Sequence, residues 1–231
     1  MTSAQPLIPV STSPALPGPQ LRVYLLLEDL QPQFAAYLGT PTRARGYPPY
    51  AGQHALIVEV APGLAIERVL SLALRSGSGP DGSGIEPGIL FVERQFGVLE
   101  IHGDDLDDVR RAGEAVLAGI RATADQQFRP TLLYSDVIED VHDQHAVIVN
   151  RTRQGSMLLP GDSLLVVEVT PALFAAMAAN VAELAAPDVT LVDVQMIGAA
   201  GRLYLGGTTE AVTTARDAIR EALAQVEGRD L

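Results

Sequence analysis

The chain repeats itself, and this repetition limits its fold more than any other feature. Ala51-Gly-Gln-His-Ala-Leu-Ile-Val-Glu-Val-Ala-Pro62 lies in register with Pro160-Gly-Asp-Ser-Leu-Leu-Val-Val-Glu-Val-Thr-Pro171. Glycine, apolar run, Glu59 with Glu168, and Pro62 with Pro171 all coincide. Each segment predicts a buried strand followed by a proline that opens a helix. Further on, Gly97-Val-Leu-Glu-Ile-His-Gly103 matches Gly201-Arg-Leu-Tyr-Leu-Gly-Gly207, two short strands ending in glycine. A helix follows each. Leu106, Val109, Ala112, Val116, Leu117 and Ile120 mark one apolar face, with Asp104 or Asp105 as N-cap. Val212, Ala215, Ile219, Leu223 and Val226 mark the other, with Thr208 or Thr209 as N-cap.

Between these blocks each copy carries another helix. Residues 64–74 are apolar except for Glu67, Arg68 and Ser71, while 172–186 is alanine-rich and apolar nearly all round. A helix of the latter kind is covered on more than one side, by a sheet and by a neighbouring domain or subunit. Lead-ins at 21–50 and 130–159 carry strands near Arg22–Leu27 and Thr131–Ser135. The insertion Ser76-Gly-Ser-Gly-Pro-Asp-Gly-Ser-Gly84 lengthens the first copy and is flexible by composition. The expected architecture is α+β: two tandem α/β sandwich domains, each a small antiparallel sheet covered by helices. Their expected bounds are 21–125 and 126–231, after a Pro-rich arm at 1–20.

Composition removes several function classes. Cysteine is absent, so there is no disulfide framework, thiol nucleophile or cysteine-held metal centre. All 16 basic residues are arginine. Without lysine, a P-loop nucleotidase of the usual kind and a Schiff-base enzyme are excluded. The net charge of −12 disfavours nucleic acid and anionic membranes as partners. The arm has five prolines and the features of neither a signal peptide nor a membrane span, and a cytoplasmic location is expected.

The apparent catalytic constellations are weak. Glu59 and Glu168 suggest a two-carboxylate hydrolase, but they are repeat equivalents, one per domain, each expected at the exposed end of a strand. His142 and His145 lack a third ligand at convincing spacing and read as part of a solvated loop. Neither a catalytic nor a metal site is expected.

Taken in order, these residues resemble the tandem, circularly permuted bacterial microcompartment domain proteins, a shell-protein family with a ferredoxin-like fold. Ala185-Ala-Pro-Asp-Val-Thr-Leu-Val192 leading to Ile197-Gly-Ala-Ala-Gly-Arg-Leu-Tyr-Leu-Gly-Gly207 carries the domain pattern. Asp29-Leu-Gln-Pro-Gln33, Val92-Glu-Arg-Gln-Phe-Gly97 and Asn150-Arg-Thr-Arg-Gln-Gly-Ser-Met-Leu158 point to the gated, carboxysome-type trimers. The resemblance implies a pseudohexameric trimer with a central pore and admits stacking of two trimers. It also implies hexameric and pentameric shell partners, passage of small anionic metabolites, and neither enzyme activity nor a cofactor.

Residue by residue, it implies that Glu93 and Arg94 form the pore gate. Gln95, Phe96 and Gly97 would continue that loop, and Ile197, Gly198, Ala199, Ala200 and Gly201 would form the equivalent turn. The related pattern has a bulky aromatic near Ala200, so the opening is expected to differ. Arg151 and Arg153 match a second arginine-bearing loop, which would line a face near the pore or make an interdomain or intersubunit salt bridge. Tile edges in the family commonly use a lysine, and Arg75 and Leu184 stand at those positions. The residues alone leave two other readings: a trimeric regulatory module binding an effector between subunits, and an enzyme with a cleft between its domains. Assembly would mark the first reading, saturable effector binding the second, and turnover the third.

Overall fold

The computed structural model describes residues 18–40, 46–77 and 84–231. Most of the arm and of the glycine-rich insertion lies outside the described residues. The elements run β1 (Gln20–Leu27), α1 (Pro32–Leu38), β2 (His54–Ala61), α2 (Ala65–Gly77), β3 (Glu86–Glu93), β4 (Phe96–Gly103) and α3 (Leu106–Ile120). A 3-10 turn at Ala124–Gln126 leads to β5 (Thr131–Ile138), α4 (Asp143–Thr152), β6 (Ser163–Thr170), α5 (Phe174–Ala185), β7 (Thr190–Gln195), β8 (Gly201–Gly207) and α6 (Thr209–Ala224). Two four-stranded antiparallel sheets result, ordered β1-β2-β4-β3 and β5-β6-β8-β7. This is the expected pair of α/β sandwiches.

The strand register extends the repeat into the lead-ins. Gln20 pairs with Ala61 and Thr131 with Thr170, and both edge strands shift register at the next-but-one residue, around Arg22 and Leu133. Glu28-Asp-Leu-Gln-Pro-Gln33 is thereby equivalent to Glu139-Asp-Val-His-Asp-Gln144, and α1 to α4. Neither short helix was expected. Pro32 opens α1, and Leu30, Phe34, Ala35 and Leu38 bury its face. The His142 side chain accepts the Gln144 N–H at 3.2 Å and caps α4. His142 and His145 therefore belong to a helix anchored by buried Ala146, not to a solvated loop. Asp105 and Thr208 are the N-caps of α3 and α6. Pro62 and Pro171 do not open helices. Each follows a cis peptide, and its carbonyl accepts the N–H of the first helical residue, Ala65 or Phe174.

Period-two alternation gives each sheet two apolar faces. Leu56, Val58 and Val60 face α2 and α3, just as Leu165, Val167 and Val169 face α5 and α6. The opposite, outer faces differ. Val23, Leu25, Leu27, Ala55 and Ile57 on the first sheet join one continuous core with α1, α5 and the second sheet. Helix α5 is thus covered on both sides, as its all-round apolar sequence predicts. Polar clips fix the contact. Gln31 N–H donates to Asn180 Oδ1 at 2.9 Å, and Gln33 and Phe34 N–H donate to the Glu183 carboxylate at 2.8 and 3.0 Å. The Gln33 amide bridges Val189 O (2.7 Å) and Leu191 N–H (2.8 Å), extending β7 by one side chain. Glu183 does for α1 what its own Gln31 side chain does not, satisfying the free N–H groups of the first turn.

On the second sheet the outer face carries only a small core of Val141, Ala146, Leu158, Leu164 and Val192 under α4. Leu133, Tyr134, Val147, Ile148, Met157 and Leu159 stand exposed there and nearby.

Candidate pore hairpin

The β3–β4 hairpin ends in the tightest turn available to an antiparallel pair. Glu93 pairs with Phe96, leaving Arg94 and Gln95 at the tip. Arg94 adopts φ +55°, a left-handed conformation that costs a side-chain-bearing residue roughly 1–2 kcal/mol. Its side chain is 90% exposed and lies 3.6 Å from the Glu93 carboxylate. An ion pair in that setting contributes about 0.2–1 kcal/mol, too little to lock either side chain.

The base beneath this tip is rigid. Phe96 lies under the Arg22 guanidinium, 3.8 Å from its ring centroid, and Phe128 lies 5.1 Å from the same group. Arg229 stacks on the Phe128 ring at 4.0 Å. Arg22 Nε also donates to Glu59 Oε1 at 2.7 Å. Glu59 is therefore buried under an arginine, not at an exposed strand end. Burial pushes its pKa up, and the hydrogen bond and charge of Arg22 oppose that shift. Its counterpart Glu168 matches the expectation better, half-buried and paired with Arg202 at 3.0 Å. The difference arises at the bulge of the edge strand, where Arg22 of the first copy answers to Leu133 of the second. Gly97 sits where an added Cβ would fall 2.2 Å from Gly63 O, and Gly201 repeats this against Ala172 O at 2.0 Å. Only glycine allows the hairpin base to meet the turn after β2.

The equivalent turn spans Ile197, Gly198, Ala199 and Ala200. Gly198 has φ +119° where Arg94 has its positive φ, and Ala200 takes the place of Phe96. Thr170 Oγ1 donates to Ala199 O at 3.0 Å and holds the turn. One tip is thus charged and the other small. Arg151 lies in the last turn of α4, and Arg153 is its extended C-cap at the start of the loop to β6, on the outer side of the second sheet. Arg153 donates to Gly155 O at 3.2 Å, and Gly155 and Ser156 pair with Val192 and Leu191. The arginines and the Glu93–Arg94 tip thus belong to different sheets. Arg75 and Leu184 occupy equivalent exposed positions near the ends of α2 and α5.

A cavity of about 720 Å³ opens beside Gln95, lined by Ala61, Pro62, Arg121, Gln126 and Arg229 among others. Among the described residues that line it there is no carboxylate, histidine or hydroxyl side chain to form an acid–base pair.

Residues 21–126 match the model of the CsoS1D N-terminal domain family. The chain is 37% identical over 213 residues to the carboxysome shell protein CcmP of Synechococcus elongatus, covering 92% of this chain and 96% of that one. The chain belongs to the carboxysome-type shell protein family. The carboxysome shell protein CsoS1D of Hydrogenovibrio crunogenus is 38% identical over 91% of this chain and 98% of its own length. Among solved structures, the double ringed trimeric shell protein MSM0271 from the RMM microcompartment superposes with a TM-score of 0.86. It is 64% identical, covering 92% of this chain and all of that one. The fused permuted hexameric shell protein MSM0275 gives a TM-score of 0.84 at 46% identity, covering 91% and 100%. As a member of this shell family, the protein has a structural role and is not an enzyme. No described helix is long and apolar enough to cross a membrane.

Proposed function

We propose that three copies close into a flat ring of six lobes, a shell tile whose axis is a pore gated by Glu93 and Arg94. The carrying observation is an interface used once within the chain and left open at its repeat-equivalent surfaces. Helix α5 covers the outer face of the first sheet. The matching face of the second copy carries only α4, whose own outer side is open, with Ile148 63% exposed. Helix α2, the counterpart of α5, is bare on its far side: Leu64 is 76% exposed where Leu173 is 1% exposed. Docking α2 of one copy on the α4–β5 face of the next repeats the internal contact head to tail, which makes a closed ring when the rotation closes. The trimeric character of the 64% identical MSM0271 supports closure at three chains, and its double ring supports face-to-face stacking. The repeated units of the tile are 21–125 and 126–231.

Such a ring gathers three charged tips at one axis and three small tips between them. Three Glu–Arg pairs of about 0.2–1 kcal/mol each separate folded-in from folded-back side chains by only a few kcal/mol. A small anionic metabolite binding the arginines shifts that balance. Arg75 and Leu184 face hexameric and pentameric neighbours at the tile edge. Purified protein is expected at the mass of three or six chains, and Ile148→Asp at that of one. A wild-type monomer overturns the ring. Arg94→Ala is expected to keep the mass and widen the passage, and unchanged permeability would remove the gate.

A further inference from the structure

Strand β4 buries two ionisable groups that the shell fold does not need. Glu100 and His102 are both fully buried, with Glu100 Oε1 2.9 Å from His102 Nδ1. Strand register makes Glu86, Glu100 and His102 equivalent to Thr190, Tyr204 and Gly206. The second copy therefore fills the same three positions on two strands without a charged side chain. Burying a carboxylate and an imidazole is costly unless every polar atom is satisfied. Here two are not: Glu100 Oε2 is one, and His102 Nε2 is buried with no hydrogen-bond partner among the described residues. It faces Glu86 Oε2 at 3.8 Å, too far for a hydrogen bond, at the wall of a cavity of about 550 Å³ that Glu86 and Asp104 also line. The surroundings are shaped to the pair. A Cβ on Gly88 would lie 2.2 Å from Glu100 Oε2, so only glycine leaves room for the carboxylate.

We propose that His102 Nε2 and Glu86 form a binding site for a divalent transition-metal ion of the zinc type, oriented by Glu100 and completed by water. In the tautomer whose Nδ1–H donates to Glu100 Oε1, the Nε2 lone pair is free. This is the carboxylate–histidine–metal arrangement, in which the buried carboxylate fixes the tautomer and raises ligand basicity. The 3.8 Å between Nε2 and Oε2 accommodates an ion with bonds of about 2.0–2.2 Å to each. No group of three or more ligating side chains suited to a metal occurs among the described residues. Two protein ligands therefore leave open positions and weak binding. Glu100 here is a positioning residue and Glu86 and His102 are ligands.

The test is calorimetric titration of the metal-free full-length protein with Zn²⁺ alone, with Mg²⁺ as control, and Co²⁺ absorption as a second readout. One Zn²⁺ per chain is expected, with no response to Mg²⁺. Glu86→Gln, at a half-exposed position, should fold normally and weaken binding at least tenfold. Glu100→Gln should weaken it by about 10–100-fold while shifting the Co²⁺ spectrum. Absence of saturable Zn²⁺ binding, or binding unchanged in Glu86→Gln, overturns the site and leaves the ring untouched.

Discussion

The first and second copies share a strand register, a cis-proline turn and two close-packed glycines, yet they use their outer faces in opposite ways. The first copy's face is finished within the chain, where α5 lies across it and Glu183 caps α1. The second copy's face is left exposed, with Ile148 and Val147 open to solvent, and α4 is capped by its own His142. Leu74 stands at the position equivalent to Glu183, so a contact between chains that repeated the internal one would lack that cap. A duplicated domain can thus hold one seam permanently and leave the other to assembly. The same division appears at the tips, where Arg94 and Phe96 in one copy answer to Gly198 and Ala200 in the other.

Removing the internal cap is expected to have the largest effect. Glu183→Ala leaves two N–H groups at the buried end of α1 without acceptors, at about 1–3 kcal/mol each. Urea unfolding should show a loss of about 2–6 kcal/mol. A loss within the ordinary surface range of about 0.5 kcal/mol would mean that the internal seam is as dispensable as an external one.

The next comparison is Glu100 against Tyr204. Burial raises the pKa of Glu100 above its ordinary 4.5, opposed by the hydrogen bond and charge of His102 and by the Ile89 and Gly88 amides. The folded state then holds this proton more tightly than the unfolded state. Its contribution is full below pH 4.5 and is lost as pH rises through the raised value. In metal-free buffer, Glu100→Gln should remove that decline. Parallel stability–pH curves for the two proteins would contradict it.

The smallest effect concerns the tips. Arg94→Gly gives the first turn the residue that the second uses at positive φ, and should raise stability by about 1 kcal/mol while opening the pore. A loss of stability would mean that Arg94 makes contacts that outweigh its backbone strain.

Local pattern carried much of the architecture. Apolar spacing marked α3 and α6, and repeated short apolar runs with flanking glycines marked β2, β4, β6 and β8, because each element's core face is written in a few consecutive residues. The glycine at the base of each hairpin was visible for the same reason. Resemblance, not periodicity, singled out Glu93 and Arg94, since an exposed charged turn looks like any other solvated turn. The short helices α1 and α4 escaped notice because seven or ten residues hold too few apolar repeats.

The sequence alone determined that there are two copies, which faces of their helices are apolar, and that lysine and cysteine chemistry are absent. Tertiary structure alone decided that Glu59 is buried and that Glu183 and Gln33 join the two halves. It also decided that Glu100, His102 and Glu86 converge. Those outcomes depend on groups distant along the chain, and whether a charged side chain meets water or a partner is set by whatever segment packs over it. A strand reading Leu99-Glu-Ile-His102 looks half-solvated until its outer side is covered.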